Sequence, residues 1–111
     1  MLICKPNDVV VVPFPFTDRQ ASKRRPALVL STAAFNRRGH TVLAMITSAA
    51  HHPWPSDHRL GDPSAAGLAN SSVVRWKLFT LDNRLLVRAI GRLSESDRNA
   101  VGEKLKQVLG R

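Results

Sequence analysis

The chain has 111 residues, of which 43% are apolar and 23% are charged. This composition is typical of a globular protein and excludes disorder or a coiled coil as the state of the whole chain. The length predicts a single domain over residues 1–111. Seventeen Lys and Arg residues against eight Asp and Glu residues give a net charge of +9. Such an excess of positive charge favours an anionic partner, nucleic acid first of all.

The sequence also indicates a compartment. Cys4 is the one cysteine, so it can form no disulfide within the chain and supports no cysteine-based zinc site. The longest apolar stretch, Val9–Phe16, has eight residues including two prolines, whereas a membrane-spanning helix needs about 20. The N-terminus lacks the pattern of a secretory signal. We therefore expect a cytoplasmic protein that does not span a membrane and uses no metal or other cofactor.

The first half of the chain predicts short strands separated by polar segments. Val9–Phe14 is β-branched and continuously apolar, which indicates a strand buried on both faces. Residues 15–25 are charged and show no periodicity, so they predict a loop. Pro26–Ser31 and Thr41–Thr47 are short apolar runs on either side of a polar turn at residues 36–40. This pattern is typical of neighbouring strands.

The second half continues in the same manner. Ser48–Gly67 is rich in His, Pro and Ser, and predicts a long surface loop with a short strand near Asp57–Leu60. Ser72–Leu81 alternates apolar and polar residues and predicts the longest strand. A turn at residues 82–84 leads into a weaker strand within Leu85–Leu93, whose pairing partner stays open.

The chain closes with a predicted helix. Ser94, followed three residues later by Asp97, forms a variant of the capping box, and Gly110 is placed to end the helix. An apolar stripe at helical spacing should cover the open side of the sheet; it consists of Val101, Leu105, Val108 and Leu109. Five or six short strands followed by one helix predict a mainly β protein built on a small, strongly curved antiparallel sheet or barrel.

A dense group of cations flanks the predicted strand Pro26–Ser31 at both ends. Six of them fall within twenty residues that contain no acidic residue. Their density favours a rim that binds phosphate groups, and the alternative is a solvated positive surface. The six are Arg19, Lys23, Arg24, Arg25, Arg37 and Arg38.

Several motifs resemble those of the MazF/PemK family of toxin–antitoxin ribonucleases. The most specific is an Arg-Arg-Pro-Ala-Leu-Val-Leu-Ser run after an apolar first strand. The similarity extends in order and spacing over nearly the whole chain. It is carried by Asp8–Phe14, Arg24–Ser31, Ile46–Ser48, Gly67–Leu68, Thr80–Asp82, Gly91–Ser94 and the final helix.

The resemblance implies an SH3-like β-barrel with a C-terminal helix, and a homodimer that cleaves single-stranded RNA without metal and is inhibited by a cognate antitoxin. It also implies that Arg25 and Thr47 form the main catalytic pair. A guanidinium can bind two oxygens of the phosphorane-like transition state, and a threonine hydroxyl can orient the phosphate. The alternatives are a structural ion pair at a strand start for Arg25 and an ordinary β-branched strand residue for Thr47.

The chain departs from the family pattern at two positions. Many members carry glycine where this chain has Asn7, and asparagine tolerates the left-handed backbone that such a turn needs. Some members carry glutamate five residues before the catalytic arginine, where this chain has Gln20, whose neutral amide cannot accept the proton of a 2′-hydroxyl. Asp18 is the nearest carboxylate and is the candidate substitute, although an Asp in a polar loop often caps a turn.

The loop after Thr47 contains three histidines. His51, His52 and His58, together with Asp57 and Asp62, could be interpreted as a metal site or as the imidazole pair of a ribonuclease, but their spacing matches neither pattern. Contact with RNA is the preferred role for the first two of these histidines.

Two tryptophans are candidates for stacking on unpaired bases. Such a contact contributes about 1–3 kcal/mol per base. We expect Trp54 to contact RNA, whereas Trp76 either stacks on a base or packs in the barrel or the dimer interface.

The sequence thus predicts a toxin that cleaves messenger RNA. One alternative is a non-catalytic member of the same fold that binds nucleic acid or its antitoxin. A second is a gyrase poison of the CcdB type, which relies on a Trp-Gly-Ile ending, whereas this chain ends Leu109-Gly110-Arg111.

Overall fold

The computed structural model describes residues 1–14 and 23–110. Within these residues the chain forms six strands, two α-helices and one turn of 3-10 helix at Asn83–Leu85. In chain order the elements are β1 Asp8–Phe14, β2 Lys23–Val29, α1 Ala33–Asn36, β3 His40–Ser48, β4 His58–Arg59, β5 Ser72–Asp82, β6 Arg88–Arg92 and α2 Glu95–Leu109.

The strands form one curled antiparallel sheet in the order β4-β5-β3-β2-β1-β6. Each of the pairings is antiparallel. The partner of β6, which the sequence left open, is β1, with Asp8 opposite Arg92. The predicted mainly β architecture with a C-terminal helix is therefore confirmed.

Apolar residues on both faces of the sheet are buried. In β1, Val9, Val10 and Val12 have no exposed surface, as the unbroken β-branched run predicts. Val9 belongs to one core cluster, which reaches Val101 of α2. Val10 and Val12 belong to a second cluster on the other face. The sheet therefore has a core on each face. Val101 of α2 packs into the first core, and Cys4 and Leu86 pack into the second.

The first residues of β2 correct one expectation. Residues 23–25 were predicted to lie in a loop, but they extend β2 and pair with the end of β1, with Arg25 opposite Val12 and Lys23 opposite Phe14. Their side chains are exposed, so the charges stay solvated while the backbone gains the hydrogen bonds of the ladder. The rest of that predicted loop lies outside the described residues.

The long strand β5 is confirmed, but its simple alternation is not. The register with β3 shifts, so that Arg75 lies opposite Met45 and Leu78 lies opposite Ala44. A bulge of this kind places extra residues on one strand and interrupts the regular ladder. Arg75, which precedes the bulge in β5, is buried, whereas Leu78, which follows it, is exposed and Leu81 is buried again.

The short helix α1 lies in a segment that shows no helical periodicity. Thr32 caps α1 by accepting a hydrogen bond from the amide of Phe35 at 3.2 Å. Asn36, at its end, is fully buried and donates to the carbonyl of Cys4 at 2.8 Å. A single turn is too short to show periodicity, so side-chain capping and a buried amide define it instead.

The ends of α2 match the prediction, whereas its apolar stripe matches only in part. Ser94 accepts from the amide of Asp97 at 3.2 Å, and Gly110 adopts a left-handed φ of 68°. Val101 is buried, but Val108 and Leu109 are exposed. Leu105 is half-buried, so burial of the stripe decreases along the helix.

The turn before β1 keeps the geometry that the sequence required. Asn7 has a φ of 74°, a left-handed conformation that asparagine accepts more readily than most residues. Its amide donates to the carbonyl of Val29 and its carbonyl accepts from the amide of Leu93, at 2.9 and 3.0 Å. Asparagine thus replaces glycine here without loss of the turn.

Candidate functional site

Two adjoining clefts lie at the N-terminal end of β2. The first, which we name the Thr47 cleft, has a volume of about 390 Å³. The second, the Arg88 cleft, has a volume of about 410 Å³. Arg25, Pro26 and Leu68 line both clefts, so the two form one groove that crosses the start of the strand.

The strand register brings the predicted pair Arg25 and Thr47 together. The ladder between β2 and β3 ends with Ala27 opposite Met45. Arg25 and Thr47 lie two residues beyond that last pair, at the same end of the two strands. Both residues line the Thr47 cleft, so this part of the predicted site is spatially consistent.

The guanidinium of Arg25 is held by an aromatic ring. Its central carbon lies 5.4 Å from the centroid of the Phe14 ring, within the range of a cation–π contact. The side chain is exposed, and none of the ion pairs formed within residues 1–14 and 23–110 includes it. In this part of the chain the structural ion-pair interpretation finds no support, and the charge is available to a ligand.

Thr47 makes a side-chain contact that the sequence did not predict. Its hydroxyl oxygen lies 2.7 Å from Nδ1 of His51. The turn after β3 causes this contact, because the hydroxyl of Ser48 accepts from the amide of Ala50 at 3.1 Å and the backbone closes back toward the strand end. His51 lines the Thr47 cleft as well, so three polar side chains of different chemistry face one space.

The other predicted RNA contacts of this loop lie elsewhere. Trp54 lies between the guanidinium of Arg75, at 5.1 Å from its ring, and the ammonium of Lys77, at 5.9 Å. The carbonyl of His52 accepts from Arg75 at 2.9 Å. Neither Trp54 nor His52 lines the two clefts, although both are exposed. Their contact with RNA stays a prediction.

Trp76 packs in the fold. Its indole N–H donates to the carbonyl of Ser56 at 2.7 Å, and its ring packs against the core cluster that contains Val74. Of the alternatives for this tryptophan, packing within the sheet is the one that the contacts support.

A buried ion pair fixes the loop before β4. Asp57 and Arg75 are 2.9 Å apart, with side chains 11% and 9% exposed. Burial alone would raise the pKa of the Asp57 carboxyl, but hydrogen bonds from Arg75 and from the amide of Trp54 outweigh it and lower that pKa. Asp57 therefore stays ionised and serves the fold.

The sequence predicts Asp97 as part of a helix cap, but its carboxylate also binds the turn that follows β4. Its carboxylate accepts from the amides of Gly61 and Asp62 at 2.9 and 3.1 Å, and lies 3.0 Å from Nε2 of His58. Burial would raise its pKa, yet these hydrogen bonds and that of Ser94 lower it. Within the described ranges, no three His, Cys, Asp or Glu side chains form a group able to hold a metal ion.

Two glycines let the loop that carries Leu68 approach β6. Gly67 has a φ of 77°, and a Cβ atom there would collide with the carbonyl of Ile90. A Cβ at Gly91 would lie 2.6 Å from the carbonyl oxygen of Ala65. Only glycine permits this backbone contact, which places Leu68 between the two clefts.

Within the described residues the predicted cations fall into two groups, one at the groove and one before β3. Arg24 and Arg25 line the groove, and Lys23 is exposed beside them. Arg37 and Arg38 follow α1, before the start of β3, whereas Thr47 lies near its other end. Thr47 is seven residues after His40, the first residue of β3. At a rise of about 3.3 Å per residue, the two lie about 23 Å apart along the strand. Asp18 and Arg19, like Gln20, lie outside the described residues.

Sequence reasoning did not assign several residues that line the groove to the site. Arg88, Leu68, Ser48 and Asn70 come from three separate segments of the chain. No motif joins them, because only the pairing of β1 with β6 and the close glycine contact bring these segments to β2. Ile46–Ser48 and Gly67–Leu68 were the available signals, since both form part of the recognised pattern.

No helix in residues 1–14 or 23–110 combines the length and apolar character that crossing a membrane requires.

Comparisons with known proteins agree with this geometry. The family of PemK-like, MazF-like toxins of type II toxin–antitoxin systems matches residues 5–109. Comparison with curated protein sequences gives no match.

Solved structures share the fold. A chain of a MazE–MazF structure from Deinococcus radiodurans is 27% identical, with a TM-score of 0.76 over 99% of this chain and 98% of that chain. A MazF from the same organism is 25% identical, with a TM-score of 0.75 and full coverage of both chains, 100% each. An endoribonuclease in complex with its cognate antitoxin from a mycobacterial species is 21% identical, with a TM-score of 0.75 over 99% and 96% of the chains; at that identity it supports the fold alone.

Proposed function

Because the chain belongs to the PemK-like, MazF-like family of type II toxin–antitoxin toxins, we propose that it is an endoribonuclease that cleaves single-stranded RNA, messenger RNA in particular. The observation that carries this proposal is the convergence of Arg25 and Thr47 on one cleft. The exposed guanidinium and the hydroxyl come from different strands, and both are groups that bind phosphate oxygens.

The proposed reaction takes its nucleophile from the substrate. The ribose 2′-oxygen attacks the adjacent phosphorus, the bond from phosphorus to the 5′-oxygen breaks, and the products are a 2′,3′-cyclic phosphate and a free 5′-hydroxyl. The transition state carries extra negative charge on the phosphoryl oxygens. Arg25 stabilises that charge with a planar fork of N–H donors, and Thr47 donates to a phosphoryl oxygen to orient the group.

The groove provides a path for the strand on both sides of the reacting phosphate. Arg24 and Arg88 line the Arg88 cleft together with the apolar side chains of Val11 and Ile90. Cations of this kind bind phosphates, and apolar surface accommodates unstacked bases. The net charge of +9 supports the same partner. Arg25 stands where the two clefts meet, which is where the reacting phosphate would lie.

The proposal includes protein partners and a compartment. The MazE–MazF structure supports a cognate antitoxin as the inhibitor. The homodimer and a cytoplasmic location rest on the family resemblance, and light scattering at micromolar concentration tests the dimer. A monomer of 12.2 kDa would contradict it.

Cleavage of RNA by the purified protein in EDTA tests the function. We expect the wild type to cut RNA, to leave cyclic phosphate ends, and to leave uncut an oligonucleotide with 2′-deoxyribose at the cleavage position. Arg25→Ala should lose the activity. Arg59→Ala is the matched control, since Arg59 is an exposed arginine of β4 that lines neither cleft. Full activity of folded Arg25→Ala, or cutting of the 2′-deoxy substrate, would contradict the mechanism.

The second candidate is a non-catalytic member of the family that binds nucleic acid or its antitoxin. Gln20 favours it, because the carboxylate that some members place there is missing. Binding of RNA without any cleavage by the wild type would select this alternative.

A further inference from the structure

The contact between Thr47 and His51 bears on the missing proton acceptor. The hydroxyl oxygen and Nδ1 are 2.7 Å apart, a normal distance for a hydrogen bond. Both side chains line the Thr47 cleft. Nδ1 is engaged by the hydroxyl, so Nε2 is the ring nitrogen left for a ligand in the cleft.

The proton of the Thr47 hydroxyl decides the state of the ring. A hydroxyl has one proton to donate and two lone pairs to accept with. If Thr47 donates to a phosphoryl oxygen, it can only accept from His51, so Nδ1 must carry the ring proton. A neutral imidazole has one protonated nitrogen, and Nε2 is then an unprotonated acceptor. Anchoring the phosphate through Thr47 therefore prepares His51 as a base.

We propose that His51 is the general base of this ribonuclease. The inference rests on the proposed function and names a catalytic residue for it. In the reaction Nε2 takes the proton of the 2′-hydroxyl, the 2′-oxygen forms its bond to phosphorus, and the 5′-oxygen leaves with a proton from water. The imidazolium then returns its proton to the solvent, so protons and charge balance over one turnover.

The surroundings of His51 are consistent with this role. Among the described residues that line the Thr47 cleft, Arg25 from β2 is the one charged side chain. β3 contributes Thr47 and Ser48, and β5 contributes Ser72, none of which is charged. His52, the next residue, is exposed and does not line this cleft. No carboxylate from these elements competes for the proton, and Asp18 is the rival base from outside them.

The test uses a substitution that separates proton transfer from positioning. In His51→Asn the side-chain amide can still donate to Thr47 from near the position of Nδ1, but it cannot accept a proton as Nε2 does. Loss of a general base costs about 10²- to 10⁴-fold in rate. We expect His51→Asn to lose at least about 100-fold in kcat/KM. The matched control is His40→Asn, at an exposed histidine that begins β3 and lines neither cleft, and its kcat/KM should stay within about twofold of wild type.

Two further measurements report on the proton itself. The acidic limb in the pH profile of kcat/KM should disappear in His51→Asn. In His51→Ala, added imidazole should restore cleavage in proportion to its concentration, which a purely structural role would not allow. Circular dichroism confirms that each variant is folded.

The outcomes separate this inference from the proposed function. If wild type cleaves, Arg25→Ala does not, and His51→Asn retains its rate, then the enzyme stands and His51 is not its base. Loss of activity in Asp18→Asn with an unchanged His51→Asn would assign the role to Asp18 and overturn the inference. If the wild type cleaves no RNA at all, both proposals fail.

Discussion

Charged side chains serve opposite purposes in two regions of this protein. In the loop anchor, formed by the Asp57–Arg75 and His58–Asp97 pairs, they are largely buried and hydrogen-bonded to one another. In the Thr47 cleft, Arg25 is exposed and the hydroxyl of Thr47 has only His51 as a side-chain partner among the described residues. Both regions lie on or beside the same strands β3 and β5. The position of a charged residue in the sequence therefore does not show which of the two purposes it serves.

The two regions differ in whether their polar side-chain atoms have hydrogen-bond partners within the protein. Within the described ranges, every buried side-chain nitrogen or oxygen atom has a hydrogen-bond partner, which is necessary because an unpaired buried polar atom costs about 1–3 kcal/mol. Exposed donors do not have this cost, since water satisfies them until a ligand replaces it. Substitutions in the loop anchor should therefore reduce stability, and substitutions in the cleft should reduce activity.

Removal of the Asp97 carboxylate should have the largest effect on stability. Asp97→Ala leaves the amides of Gly61 and Asp62 and the ring of His58 without their acceptor, and each buried polar group left without a partner costs about 1–3 kcal/mol. Unfolding in urea measures the loss. Glu103→Ala is the control, because Glu103 is 72% exposed and its pairing with Lys106 is long, at 3.9 Å. Equal stability of the two variants would refute the role of the anchor.

Arg25→Ala should show the opposite behaviour, with activity lost and stability kept. Removing one preorganised donor to a transition state costs about 100- to 1,000-fold in kcat. The midpoint of urea unfolding should stay close to wild type because the side chain is exposed. Arg25→Lys should recover little activity, since an ammonium lacks the planar fork that contacts two oxygens. If Arg25→Ala is inactive because it unfolds, the expected difference between the cleft and the loop anchor is contradicted.

The two regions also differ in how far the sequence predicts them. The apolar run of β1, the alternating run of β5 and the capping residues of α2 each have a local signal, and the structure contains all three elements. The pair Arg25 and Thr47 was available from a motif. The loop anchor and the contact with His51 had no local signal, because the anchor depends on contacts between residues distant in the sequence and the contact depends on a turn closed by Ser48.

Burial of a charge was the hardest feature to predict. Arg75 follows two valines in an alternating run, and a sequence rule places it on a solvated face. The loop before β4 covers the side chain: Asp57 pairs with its guanidinium, the carbonyl of His52 accepts from it, and the Trp54 ring lies 5.1 Å away. Pairing across such a distance in sequence leaves no periodic trace, so the structure alone shows it.

The Gly67 turn connects the two kinds of region, since it shapes the groove without taking part in the chemistry. Gly67→Ala should destabilise the protein by about 1–3 kcal/mol, because alanine is strained at a φ of 77° and its Cβ would meet the Ile90 carbonyl. It should also raise KM by displacing Leu68. Gly102→Ala is the matched control: its Cβ would meet nothing within 4 Å, and helix propensity should stabilise it by about 0.5–1 kcal/mol.

The pH dependence of stability should come from the paired carboxylates. The pKa values of Asp57 and Asp97 are lowered, and that of Asp82 is lowered to about 2 by the hydrogen bonds of Arg84. A carboxyl whose pKa is lower in the folded state contributes stability above its unfolded pKa of about 3.9, and this contribution is lost as the pH falls through the folded pKa.

The free energy of unfolding should therefore be constant near neutrality and should decrease as the pH falls from about 4 toward 2. Urea unfolding at several pH values measures it. In Asp97→Asn the decrease should be smaller, because one of the titrating groups is gone. An unchanged slope in that variant would show that Asp97 keeps its ordinary pKa in the folded protein.

The smallest expected effect concerns the cations at the two ends of the sheet. For single strands the logarithm of the binding constant falls with the logarithm of the salt concentration by about 0.7 per neutralised phosphate. Arg24 lines the groove, so Arg24→Ala should reduce this slope by about that amount. Arg38 lies at the far end of β3, so Arg38→Ala should reduce it by less. Fluorescence anisotropy with a labelled oligonucleotide between low and moderate salt measures both slopes. Equal reductions would mean that RNA contacts the cations before β3 as well as those at the groove, whereas a flat dependence in the wild type would remove the phosphate-binding role of this surface altogether.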